Sequence, residues 1–116
     1  MTNSVDLATW LNDTELADAY AANASALKTT FNDAFWLADE GMYRDNLTSK
    51  LTPQDANSLA VLFNLTETAE QVASVSDGLT KNWGVYGSTA PELPDTVAPF
   101  IGGFEVRIIS VCLAWF

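Results

Sequence analysis

The stretch Leu51–Leu65, LTPQDANSLAVLFNL, decides how the rest of the chain is read. Thr52 is a favoured N-cap residue, and Pro53 suits a first helical position, where the missing N–H leaves nothing unsatisfied. Gln54 and Asp55 fill the first turn, where polar and negative side chains suit the free N–H groups. Leu59, Ala60, Leu62 and Phe63 then make the segment largely apolar, as in a helix enclosed by other helices. Its polar residues, Gln54, Asp55 and Asn57, gather at the N-terminal end. The stretch therefore predicts a core helix with a polar end turned to a cavity. Asp55 has two readings at this point: a pocket residue, or a cap for the helix's own amides.

The totals fit that picture. A chain of 116 residues with 48% hydrophobic and 17% charged residues can build one ordinary core. No apolar run reaches the ~18 residues a membrane-spanning helix needs. Fifteen acidic against five basic residues give a net charge of -10. Such a surface argues against nucleic acid and anionic membranes as partners, and it favours solubility. The absence of histidine removes the commonest general base and metal ligand. Cys112 stands alone, so no internal disulfide forms and a thiolate zinc site is disfavoured. No metal site is expected.

Four N-x-S/T sequons begin at Asn12, Asn23, Asn46 and Asn64, which hints at a secreted lineage. MTNSVDLATWL, however, lacks the basic region and long apolar run of a signal peptide. A start further upstream would reconcile the two observations.

Val5, Leu7, Ala8, Trp10 and Leu11 read as the last turns of a helix whose beginning is absent. Asn12 followed by Glu15 fits a capping box. Leu16, Tyr20, Ala24, Leu27, Phe31 and Phe35 then recur at spacings of three and four, a helical stripe that faces a core. Asp39-Glu40-Gly41 is a turn, and Met42 to Asp45 is a short extended piece. After the opening stretch, Thr66 is expected to start another helix through Ala69, Val72, Val75 and Leu79, with Lys81 near its end.

Beyond Trp83 the character changes. Gly84, Gly87, Pro91, Pro94, Pro99, Gly102 and Gly103 predict a long loop. It carries Trp83, Tyr86, Glu92, Asp95, Phe100, Phe104 and Glu105. Aromatics beside a few carboxylates suit a sugar site, where rings stack and carboxylates accept from hydroxyls. They equally suit an ordinary packed loop. The remainder, Arg107 to Phe116, is nearly all apolar.

Several phrases, in order, resemble a known pattern. They are Phe35-Trp36, Asp39 to Asn46, Thr52 to Ala60, Leu79 to Trp83, Ala90 to Pro94 and Pro99-Phe100-Ile101-Gly102-Gly103-Phe104-Glu105-Val106. Together they resemble the catalytic region of fungal α-L-rhamnosidase-like proteins, glycoside hydrolase family 78, over about residues 5 to 106. The resemblance implies an all-α fold, a six-hairpin (α/α)6 toroid. It implies hydrolysis of terminal α-L-rhamnose with inversion, by a carboxylic acid and a carboxylate base, and an extracellular setting. By this likeness Glu105 takes the place of the general base. Asp55, Asn57, Trp83 and Glu92 become candidate substrate-binding residues, with Glu92 also a candidate cap for the loop's amides. The family's general acid is assigned to no residue, and the resemblance implies no cofactor.

A complete toroid needs about twelve helices of three to four turns each. The sequence supplies three and part of a fourth, so an incomplete arc with a long Gly/Pro-rich loop is expected. The division expected is residues 1–106 as a fragment of the catalytic domain and 107–116 as an apolar tail outside the family. A gene fragment, cut at its start and read through an intron at its end, would explain this. The expected partners are a carbohydrate substrate and the missing remainder of the barrel. The expected polypeptide is inactive alone. The alternatives are a non-catalytic carbohydrate-binding or helical interaction module, or a truncated gene product.

Overall fold

The computed structural model describes residues 2–113. Two helical hairpins and a final helix organise it. Helix α1 (Thr2–Trp10) turns into the long α2 (Thr14–Phe35), and α3 (Gln54–Leu62) turns into α4 (Ala69–Thr80). Helix α5 (Pro99–Leu113) packs against both α3 and α4. Between the hairpins, strands β1 (Trp36–Leu37) and β2 (Met42–Tyr43) pair antiparallel, with Trp36 opposite Tyr43. A second ribbon, β3 (Trp83–Gly84) with β4 (Gly87–Ser88), sets Trp83 opposite Ser88. The chain is helix-rich, and each ribbon is only two residues long per strand.

The two hairpins turn in the same way. Asn12 and Asn64 both adopt φ 57°. Asp13 N–H donates to Ala8 O at 2.9 Å and Asn12 N–H to Thr9 O at 3.0 Å. The same pair recurs as Leu65 to Ala60 at 2.8 Å and Asn64 to Val61 at 3.0 Å. This is a Schellman ending, with asparagine in the left-handed position that only glycine fills more easily.

Three expected boundaries move. Asn12 ends α1 rather than capping α2; the cap is Asp13, whose side chain accepts from Leu16 N–H at 3.0 Å. Thr66 is buried in the turn, and α4 is capped two residues later by Thr68, which accepts from Gln71 N–H at 3.1 Å. Thr52 does not cap α3; Pro53 holds that position and has no side-chain bond to give. The largest revision is the long loop. It shortens to the β3–β4 ribbon and a connection, because α5 begins at Pro99 and runs through Gly102 and Gly103. Pro99 at the first helical position explains the start, since its fixed φ suits a helix that needs no N–H there. Arg107 to Leu113 continues that helix, with Ile108 and Ile109 buried in the core. Trp115 and Phe116 lie outside the described residues.

The core joins Met42, Tyr43, Ala60, Val75, Leu79, Ile108 and Ile109, with Phe31, Phe35 and Trp36 against it. The expected apolar stripe of α2 thus reaches the core only at its C-terminal end, while Leu16 and Leu27 stay exposed. Tyr43 is fully buried and its hydroxyl donates to Asn32 Oδ1 at 2.7 Å. Asn32 Nδ2 in turn donates to Leu65 O at 2.7 Å, tying the first hairpin to the second.

Candidate active site

The site forms where the N-terminus of α3, the β3–β4 ribbon and α5 meet. Helix α3 starts without a side-chain cap of its own, so its first amide needs an acceptor from elsewhere. Glu92, exposed in the connection before α5, supplies it: Gln54 N–H donates to Glu92 Oε2 at 3.0 Å. With its backbone so held, the Gln54 side chain turns inward and is wholly buried. Its Nε2 donates to Ser88 Oγ at 3.0 Å and to Glu105 Oε2 at 2.6 Å.

Glu105 lies on α5 and is 1% exposed. Its second oxygen, Oε1, accepts from the indole Nε1–H of Trp83. Both hydrogen-bonding partners are neutral, so the negative charge is held by directed N–H donors. A buried carboxylate is costly without such donors, and charge-assisted bonds are about twice as strong as neutral ones. Trp83 is 44% exposed and lies at the base of the ribbon, while Val85 and Tyr86 at the tip are almost fully exposed. The ribbon therefore projects outward from the carboxylate, with Trp83 as the part-open wall between Glu105 and solvent.

A comparison with known families adds a finding to this geometry. Residues 2–89 match the bacterial alpha-L-rhamnosidase 6 hairpin glycosidase domain. The chain belongs to this family. A search among curated proteins found no match. The matched span of the six-hairpin glycosidase domain runs from α1 through β4 and includes Gln54, Trp83 and Ser88; Glu92 and Glu105 follow it.

Of the residues singled out in the sequence, the structure joins Trp83 directly to Glu105 and links Glu92 to it through Gln54. Asp55 is exposed and its Oδ1 accepts from Ala56 N–H at 2.7 Å, within its own turn. Asn57 is wholly buried on the β2 side of α3. Its Oδ1 accepts from Tyr43 N–H at 2.8 Å, and its Nδ2 donates to Tyr43 O and Pro53 O, each at 2.9 Å. Its amide is thus engaged by backbone, clamping β2 to the helix.

Sequence reasoning missed Gln54 and Ser88 as partners of the carboxylate. A usable signal was present for Gln54. Gln54, Asn57 and Ser58 share one face at spacings of three and four, so a core helix there buries all three, as observed. Ser88 offered no such signal, because only the ribbon's pairing brings it opposite Trp83. A groove of ≈ 760 Å³ lies elsewhere, between α2 and the end of α3, lined by Leu27, Lys28, Phe63 and Leu65 among others. None of the candidate residues faces it.

Proposed function

We propose that this chain carries the base side of an inverting α-L-rhamnosidase of the fungal type, acting on terminal α-L-rhamnose of glycosides or polysaccharides. The observation that carries the reading is Glu105, a buried carboxylate on two N–H donors at the base of an aromatic-tipped ribbon, in a chain of the six-hairpin glycosidase family. In this reading Glu105 takes a proton from a water. The water oxygen bonds to the anomeric carbon from the face opposite the leaving group. The glycosidic C–O bond breaks, and a carboxylic acid gives its proton to the departing oxygen. Inverting pairs stand roughly 6.5–9.5 Å apart to admit the water. No residue of this chain is assigned the acid, so the polypeptide alone is expected to be inactive.

Trp83, half-exposed beside the carboxylate, is proposed as the surface on which the sugar rests. Asp55 and Glu92, exposed at the open end of α3, are assigned to the rim of the pocket. Asn57 supports the pocket from behind. The two similar hairpins are proposed as consecutive parts of an (α/α)6 ring, and the remainder of that ring as the partner of this arc. An extracellular setting belongs to the same proposal; all four sequon asparagines are exposed. The test is an assay on an aryl α-L-rhamnoside. No turnover by the chain alone is expected. Turnover that disappears in Glu105→Gln would overturn the inactivity and keep the base role. Turnover unchanged in Glu105→Gln would remove that role.

A further inference from the structure

Gln54 offers two amide hydrogens, and both are used, one on Ser88 Oγ and one on Glu105 Oε2. That fixes which way the amide faces, because a carboxylate oxygen accepts and does not donate. The orientation leaves Gln54 Oε1 buried without a hydrogen-bond partner among the described residues. An unsatisfied buried acceptor is costly, yet turning the amide over would set oxygen against oxygen at Glu105. The carboxylate contact therefore dictates the arrangement.

Ser88 is held in place as well. A Cβ at Gly102 would stand 2.9 Å from Ser88 Oγ, closer than real Cβ contacts come. Glycine is the poorest helix former after proline, and Gly102 lies inside α5. Its neighbour Gly103 has open space where a Cβ would go. So one of the two glycines has a steric reason, and that reason is room for the Ser88 hydroxyl.

The two oxygens of Glu105 are not equivalent. The donor to Oε2 is wholly buried, whereas Trp83, the donor to Oε1, is 44% exposed at the base of a projecting ribbon. We infer that Gln54 and Ser88 are positioning residues that anchor Oε2, so that Oε1, under the Trp83 indole, is the oxygen that meets water or sugar. Gly102 provides the clearance on which the anchor depends. The inference deepens the proposed function and rests on Glu105 being the base.

The test is the 1H–15N spectrum of the labelled chain. Trp83→Phe identifies one indole N–H signal among the four tryptophans. L-rhamnose should displace that signal and leave the Gln54 side-chain NH2 signals in place. Without sugar, Gln54→Met, of similar length but with no N–H, should displace the Trp83 signal while the helical circular dichroism is kept. Gly102→Ala should do the same by turning the Ser88 hydroxyl aside, and it decides the matter if Gln54→Met fails to fold. A folded variant with the Trp83 signal at its native position would overturn the anchor. Rhamnose that moves the Gln54 signals and not the indole would overturn the choice of Oε1. Rhamnose that moves neither would overturn that choice together with the base reading, whereas displaced indole signals in the variants would still uphold the anchor.

Discussion

Glu105 shows how much of this site depends on single side chains. Its carboxylate is surrounded by protein, and among the described residues two N–H donors offset the loss of water. Tyr43, on the far side of α3, gives the fold a pH dependence in the alkaline range. Burial, with the charge of Glu67 second, pushes its phenol from 10.0 up to about 12. The folded state then keeps a proton that the unfolded chain releases near pH 10, so this contribution is whole below about pH 10 and falls away as pH rises toward about 12. Its size is roughly 2–3 kcal/mol. Urea midpoints between pH 9 and 12 should therefore fall more steeply for the native chain than for Tyr43→Phe; parallel slopes would contradict this. At this scale the sequence was informative where a residue stands in a distinctive phrase. Glu105 and Trp83 were singled out that way, and the structure joins the two by a hydrogen bond. Gln54 was hidden because a polar residue in a first turn has an ordinary helical explanation, and its real partners are 34 and 51 residues away in the chain.

The elements differ mainly in how their ends are satisfied. Helix α3 borrows its cap from Glu92, which no local pattern around Pro53 could reveal. Glu92→Ala should lower stability by about 1 kcal/mol in urea unfolding, the usual effect of a lost cap. Asp55→Asn, which alters an exposed contact within one turn, should stay within about 0.5 kcal/mol. Equal effects of the two would refute the borrowed cap. The glycines of α5 give a second contrast. Gly103→Ala fills open space in a helix and should stabilise by ~0.5–1 kcal/mol. Gly102→Ala should not, because its Cβ meets Ser88. The existence of four helices and the extended Met42–Tyr43 piece was legible from periodicity and turn residues. The start of α5 was not, because Pro99, Gly102 and Gly103 read locally as loop, while burial of Ile108 and Ile109 against α3 and α4 outweighs that preference. Asn12 and Asn64 show a related ambiguity: both open sequons, and both end helices in the left-handed conformation.

The whole molecule is drawn out. Its extents are 50 × 30 × 27 Å and its radius of gyration is 15.8 Å, against about 13 Å for a compact domain of this length. Trp10, Leu11, Leu27 and Phe63 are at least half exposed, and the ≈ 760 Å³ groove lies between α2 and the end of α3. The arc proposed above would leave its flanks uncovered in the chain alone. Calorimetry should then give a broad, low transition, and a sharp cooperative one from a monomer would contradict the arc. The central claim, that a sugar sits over Trp83 against Glu105, is tested most directly by titrating the chain with L-rhamnose and following tryptophan fluorescence. A saturable change that is lost in Trp83→Phe is expected. No change, or a change that survives in Trp83→Phe, would contradict it.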